Sequence, residues 1–300
     1  MEGPNLVRPP APTSGPRPKG PFGAIALSGR GAWLARMSRR FTPLLCFRCL
    51  GLALILAGSL RAQTQGAGAC GLVISYKAAP QDRPALRAFM EQKGVAQFER
   101  WRHEGVFARY QILLSTFANQ DLNDLTVILQ FNHFADVAKW SQVEREAAGG
   151  LATPEHFPAV PVQTDLVDLY RSGAAASRDP AKAICLVIPY TVPGSLDEYR
   201  RYVDGYVIPQ MEGWIRHGVI SAYAVYINQN GAGAKWDALI IQEYNGYDGL
   251  AQREILKDQV RGELASNPTW KQWSQNKTHI RTEGHANLTE PILAAQPPSP

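Results

Sequence analysis

The sequence predicts an α+β chain made of two βαββαβ units in tandem, behind an export leader. Three observations carry this. The stretch Trp101–Asn132, WRHEGVFARYQILLSTFANQDLNDLTVILQFN, recurs as Trp214–Asn245, WIRHGVISAYAVYINQNGAGAKWDALIIQEYN, at a constant offset of 113 without a gap. Trp101, Gly105, Val106, Tyr110, Asp124 and Asn132 meet identical residues at Trp214, Gly218, Val219, Tyr223, Asp237 and Asn245. Each copy alternates short β-branched runs with segments of helical period. Residues 1–62 differ from the rest in charge and composition.

Three hundred residues hold one large or two medium domains, and an apolar fraction of 45% is ordinary for a globular chain. The formal charge of +5 is unevenly spread. Residues 1–62 carry nine Arg and Lys against Glu2, a charge of +8, which leaves −3 for residues 63–300. A phosphate backbone calls for a basic surface, so nucleic acid is set aside as a partner.

Met37 opens MSRRFTPLLCFRCLGLALILAGSLRAQ. Arginines precede an uncharged apolar run from Cys49 to Leu60, and small residues follow, the order of a cleavable signal peptide over residues 37–62. The run is shorter than the roughly 20 residues a membrane helix needs, so no stable span is expected after cleavage. Residues 1–36, rich in Pro, Gly and Arg without apolar period, are expected to be disordered. We read them as an extension upstream of a true start at Met37; peptides from them in the mature protein would refute this. The expected location is periplasmic or secreted.

Cys46 and Cys49 fall in the leader. Cys70 and Cys185 remain, each opening an apolar run; they pair if those runs are adjacent, and otherwise stay as separate buried thiols.

The first unit, residues 70–170, opens with the strand GLVISYKAA from Gly71. Leu86, Phe89, Met90, Phe98 and Trp101 then mark a helical face that stops at Gly105. Val106–Leu114 and Asp124–Phe131 read as paired strands, Phe134–Ala148 as a helix and Val162–Tyr170 as the closing strand. Residues 171–182 read as a linker. The second unit, residues 183–293, repeats the order. Ser195 caps a helix with Glu198 three residues on. Pro209 is expected to kink or interrupt that helix, and Gly218 to end it. Strands Val219–Ile227 and Asp237–Tyr244 follow, then a helix Tyr247–Ser266. Asn267 and Pro268 open another helix, as cap and first residue. A strand over Glu283–Leu293 closes the unit, and residues 294–300 are a loose tail.

This order resembles the ferredoxin-like units of the dimeric α/β-barrel superfamily. The second copy resembles NIPSNAP and EthD-type members most, through Tyr190, Pro193-Gly194-Ser195-Leu196-Asp197-Glu198-Tyr199, Pro209, Arg216-His217-Gly218 and Asn267-Pro268-Thr269-Trp270. Members of that superfamily pair two subunits through their sheets. The resemblance implies that here one chain supplies both halves, an intramolecular pseudo-dimer, and it leaves a further homodimer open. It also implies a ligand site between sheet and helices.

Tyr190, Trp214, Tyr223 and Tyr226, with Trp101 and Tyr110, are the candidate ligand-binding aromatics, although repeated aromatics at matched positions are more often core than pocket. Glu243, on a strand face with Leu239 and Ile241, is the first candidate for a catalytic base if that face is buried, and an ordinary surface acid if it is solvated. His217, at a helix end, is an acid, base or haem ligand, or a partner of the helix dipole. His285 shares a predicted strand face with Glu283 and is the third candidate, the alternative being an ordinary surface pair. No HExxH, GxSxG or phosphate loop occurs, and no metal site is expected. The leading expectation is an exported protein that binds a small hydrophobic or aromatic molecule without a built-in cofactor. The resemblance also allows a cofactor-independent or haem-dependent oxygenase or isomerase. A purely structural role is the third reading.

Overall fold

Apolar strand runs need cover on both faces, and the chain provides it by closing its strands into a barrel with helices outside. The structure, a computed structural model, describes residues 70–151, 157–231 and 234–293; the expected leader and the tail 294–300 lie outside the described residues. The first half runs β1 (Cys70–Lys77), α1 (Arg83–Phe89), α2 (Val95–His103), β2 (Arg109–Ser115), β3 (Leu125–Phe131), α3 (Val137–Glu146) and β4 (Val160–Ala174). The second runs β5 (Ile184–Thr191), α4 (Leu196–Tyr202), α5 (Ile208–Arg216), β6 (Ile220–Asn228), β7 (Ala238–Tyr244), α6 (Gly246–Ala251), α7 (Arg253–Leu264), α8 (Pro268–Ile280), β8 (Thr282–Glu283) and β9 (Asn287–Pro291).

The strands lie in the order β4-β1-β3-β2 in one half and β9-β5-β7-β6 in the other. Antiparallel pairs β4–β6 and β2–β9 join the halves and close an eight-stranded antiparallel barrel, with β8 as a short addition beside β5. The seams are unequal. β4 and β6 pair from Val167↔Asn228 to Ala174↔Ala222, whereas β2 and β9 pair only from Leu113↔Pro291 to Ser115↔Thr289.

Strand alternation sorts the side chains into three cores. Ile74, Ile112, Val127 and Leu129 pack under α1–α3 with Leu86, Phe98 and Trp140. Ile188, Val225, Ile227 and Ile240 pack under α4, α5 and α8 with Tyr202, Tyr206 and Trp214. Val73, Ile128, Val167, Val187, Tyr226 and Ile241 fill the barrel itself.

Local features recur between the halves. Gly105 and Gly218 both end a helix at φ 71°, where a side chain would be strained. The amides of Val106 and Val219 bond back to the carbonyls of Trp101 and Trp214, each at 2.9 Å. Asp124 Oδ2 accepts from Ala78 N at 3.0 Å, and Asp237 Oδ2 from Val192 N at 2.8 Å. The expected caps form: Ser195 Oγ accepts from Asp197 N and Glu198 N, and Asn267 Oδ1 from Trp270 N.

Three expectations are corrected. The break in the second-half helix is a π turn at Val203–Val207, with Pro209 seated in the first turn of α5. The first half has the same turn at Met90–Gly94 without a proline, so the turn is not proline's doing. β4 runs to Ala174, four residues into the expected linker, because Arg171–Ala174 find backbone partners on β6. The closing strand is split into β8 and β9, with residues 284–286 outside both.

Cys70 belongs to the core beneath the first-half helices and Cys185 to the barrel core. Both are buried free thiols, and burial pushes both upward in pKa, Cys185 further with Glu243 nearby. The thiolate is the reactive form. Neither cysteine is therefore expected to react with a thiol reagent until the chain is unfolded in denaturant. Rapid labelling of the native protein, or a crosslinked peptide joining the two, would contradict this.

Candidate functional site

Two cavities stand out among the described residues. The larger, about 860 Å³, opens at the barrel mouth where β2 and β6 begin and β4, β7 and β9 end. Ala174, Ala222 and Ala224 keep its wall small, and Gly173 admits the Tyr223 ring beside it. At its floor Glu243, 2% exposed, points inward from β7 with Leu239 and Ile241. Arg178, from the segment between β4 and β5, grips both its oxygens: Nε to Oε1 and Nη2 to Oε2, each at 2.5 Å. Ser221 Oγ also donates to Oε1 at 2.7 Å. Both carboxylate oxygens are thus committed to donors. Gln130 Nε2 donates to the Tyr226 hydroxyl at 3.0 Å, and burial pushes that phenol up to about 12. Tyr110 and Tyr223 line the same mouth, and Tyr110 donates to Glu99 at 2.7 Å.

The smaller cavity, about 90 Å³, lies between the sheet and the helices of the second half. Tyr190, Tyr202, Tyr206 and Trp214 form its aromatic wall. Trp214 is 5% exposed and its indole N–H has no hydrogen-bond partner. Tyr199, Trp270 and, in the first half, Trp140 also bury unpaired donors, but none of these borders this cavity. Its other wall is basic: Arg253, Lys257 and Arg261 from α7 and Arg281 from the end of α8. Arg281 Nε donates to the Tyr202 hydroxyl at 2.9 Å, and its guanidinium lies 4.3 Å from the centre of the Tyr190 ring. Burial pushes the Tyr202 phenol up to about 12, against the pull of Arg281.

The sequence candidates therefore separate. Tyr190 and Trp214 meet at the sheet–helix cavity; Tyr110, Tyr223, Tyr226 and Glu243 meet at the barrel mouth. Trp101 borders neither and packs edge-on against Trp140 and Phe98 at 5.4 and 5.3 Å. His217 caps α5 and bonds Glu263 on α7 at 2.7 Å, away from both cavities. His285 is exposed in the break between β8 and β9, so the strand face it was expected to share with Glu283 does not form. The basic residues of α7 escaped the sequence reading. Their signal was the spacing of Arg253, Lys257 and Arg261, four apart, interleaved with Leu256, Val260 and Leu264 on one helix face.

Haem needs an axial ligand facing a cavity that holds it. His103, His133, His279 and His285 are exposed, and His217 is engaged by Glu263. The sheet–helix cavity is far too small for the ring system. No described histidine is thus offered to haem at either cavity. Among the described residues, no three His, Cys, Asp or Glu side chains converge as a metal site would require. No described helix is long and apolar enough to cross a membrane.

The fold is that of the dimeric α/β-barrel proteins. An anthrone oxidase-like protein superposes with a TM-score of 0.50 at 10% identity, over 78% of this chain and 98% of that one. A chlorite dismutase variant from Candidatus Nitrospira defluvii in complex with cyanide gives 0.43 at 11% identity, over 75% and 90%. A haem-binding protein from Thermus thermophilus gives 0.40 at 10% identity, over 75% and 91%. At such identities the likeness defines the fold and no more. No protein-family profile matches the chain, and no curated protein matches it by sequence.

Proposed function

We propose that this chain is an exported small-molecule-binding protein whose ligand sits between the sheet and helices of its second half. We also propose that its halves are fused ferredoxin-like units, akin to NIPSNAP and EthD-type domains, descended from one duplicated ancestor. The stretch Trp101–Asn132, recurring without a gap at an offset of 113, supports descent by duplication, as do the matching π turns, positive-φ glycines and aspartate contacts. Because the barrel closes within one chain, a second copy is not needed to complete it. Export rests on the basic, apolar, small-residue order of residues 37–62.

One observation carries the choice of cavity. Buried donors normally find partners, and an orphaned one marks a place where something is missing. At the barrel mouth both oxygens of the buried carboxylate are held within the chain, and the Tyr226 hydroxyl accepts from Gln130. At the sheet–helix cavity the Trp214 N–H has no partner. An engineered cavity of about 150 Å³ admits benzene, so about 90 Å³ accepts only the compact end of a ligand, the remainder extending outward.

The enzymatic alternative is an oxygenase or isomerase, in the manner that the name of the anthrone oxidase-like protein suggests. The lining of the smaller cavity does not favour it. Its one carboxylate, Glu283, is taken by Arg281 at 2.9 Å, and no histidine borders the cavity. Binding therefore leads over catalysis. Thermal-shift screening of the full chain with small aromatic acids is the test. A ligand at about 100 times its Kd stabilises by roughly 2.7 kcal/mol. That shift should shrink in Trp214→Phe, which keeps the ring and removes the donor. A screen without hits, or hits unaffected by Trp214→Phe, would refute the site.

A further inference from the structure

We infer that the ligand of the sheet–helix cavity presents an oxyanion, a carboxylate or a phosphate, to a basic wall built by α7 and Arg281. This rests on the small-molecule reading above and adds the chemical class.

A helix packed on a protein keeps its buried stripe apolar, and charged residues go outward. On α7 the inward stripe holds Leu256, Val260 and Leu264, but also Arg253, Lys257 and Arg261, each only partly exposed. Its outward positions, Glu254, Ile255, Asp258, Gln259 and Glu263, are exposed. Three cations at successive turns on the packed side, facing a fourth on Arg281, is an arrangement that apolar packing does not call for.

Counter-charges do not cancel it. Among the cavity-lining residues the only carboxylate is Glu283, held by Arg281 and by the Tyr190 hydroxyl at 3.3 Å. Outside the lining, Glu254 bonds Lys257 and lies 3.0 Å from Arg253. Arg261 has no carboxylate within ion-pair distance among the described residues; its Nε donates to the neutral Gln210 amide at 3.2 Å. Gln210 in turn donates its Nε2 to the Tyr206 carbonyl at 3.1 Å and so holds the guanidinium in place.

Two further donors have no acceptor. The Arg253 Nε is buried and unpaired, and the Trp214 indole N–H, nine-tenths buried, is the second. The cavity is thus short of acceptors and rich in donors. A ligand that supplies acceptor oxygens and negative charge repairs both, because charge-assisted bonds from Arg are about twice as strong as neutral ones. The volume suits a compact oxyanion better than a ring. Tyr190, Tyr202 and Tyr206 then flank whatever apolar body follows.

The experiment is calorimetric titration of the full chain with three probes: benzoate, benzamide and inorganic phosphate. Benzoate and benzamide share shape and differ in charge. Benzoate should bind at least about ten-fold more tightly than benzamide and weaken as salt rises. Arg261→Gln should weaken benzoate about ten-fold and leave benzamide unchanged, while Arg261→Lys should recover part of the loss. Lys257→Met, its stem retained, should act in the same direction but less, since Glu254 already holds that ammonium. Phosphate binding as tightly as benzoate would identify the oxyanion as sufficient; much weaker phosphate would identify an aromatic carboxylate. Both outcomes support the proposal. Equal binding of benzamide and benzoate, each weakened by Trp214→Phe, would overturn the anionic class and keep the cavity. Anion binding unchanged in Arg261→Gln and Lys257→Met would overturn it too. If no probe binds, the small-molecule reading itself falls.

Discussion

Replacing Arg178 by alanine is expected to cost about 3 kcal/mol, the low end of the roughly 3–5 kcal/mol seen when one partner of a buried ion pair is removed. The low end applies because the Arg178 side chain is 39% exposed, whereas that of Glu243 is 3% exposed. After the substitution the carboxylate stays inside the barrel with Ser221 as its one remaining side-chain donor. For a domain of this size each kcal/mol moves Tm by about 2–4 °C, so a drop of roughly 6–12 °C is expected. The converse change is milder. Glu243→Gln removes the buried charge and leaves an arginine that can turn to water, at a cost of about 1 kcal/mol. The order of the two variants is the diagnostic. Equal losses, or a larger loss in Glu243→Gln, would mean that the pair is not the lock that joins the segment after β4 to the barrel mouth. The double replacement Arg178→Met, Glu243→Met should recover most of the loss, since an apolar pair of similar bulk leaves no charge stranded.

The second large effect is alkaline. Tyr202, Tyr226 and Tyr244 are buried, and burial pushes each phenol up to about 12, against opposing pulls from Arg281, Gln130 and Arg253 respectively. Unfolded tyrosine titrates near 10. Above that value the unfolded chain binds fewer protons than the folded one, so stability falls with rising pH. The contribution is intact below about pH 10 and is lost as pH climbs towards 12. Two pKa units correspond to roughly 3 kcal/mol for each group, so the three together are comparable with the stability of an ordinary domain, about 5–15 kcal/mol. Urea melts at a series of alkaline pH values, with tyrosinate absorbance followed in parallel, provide the measurement. Unfolding and tyrosine ionisation should coincide, and Tyr244→Phe should flatten the slope. Smooth ionisation of all tyrosines while the fold persists would contradict the burial on which this rests.

Much of the framework was readable because it depends on local rules. The cap at Ser195, the cap at Asn267 and the glycine stops at Gly105 and Gly218 follow from backbone geometry within a few residues. The inward face of β7 was visible as the alternation of Leu239, Ile241 and Glu243. The helix break was visible too, but assigned to Pro209, and only the proline-free turn at Met90–Gly94 exposes that error. The split of the closing strand was not legible, since the composition of residues 284–286 permits either state.

The candidate site was legible only in its residue types. Tyr190, Trp214, Tyr226 and Glu243 were singled out from one sequence repeat and expected beside one cavity. The fold sends them to opposite faces of the same sheet, because neighbouring positions on paired strands alternate between the barrel and the helices. Glu243 met Arg178, a residue of the expected linker for which sequence offered no partner. The basic stripe of α7 gained meaning only when α8 brought Arg281 to the same cavity.

By itself, then, the amino-acid order determined the two-fold repeat, the alternation of strands and helices, and the local stops and caps. Each of these is a property of residues near one another in the chain. The closure of the barrel, the pairing of Glu243 and the gathering of four cations around an unpaired indole were decided by tertiary structure. They depend on residues from separate elements meeting in space, and strand pairing, not sequence distance, sets who meets whom.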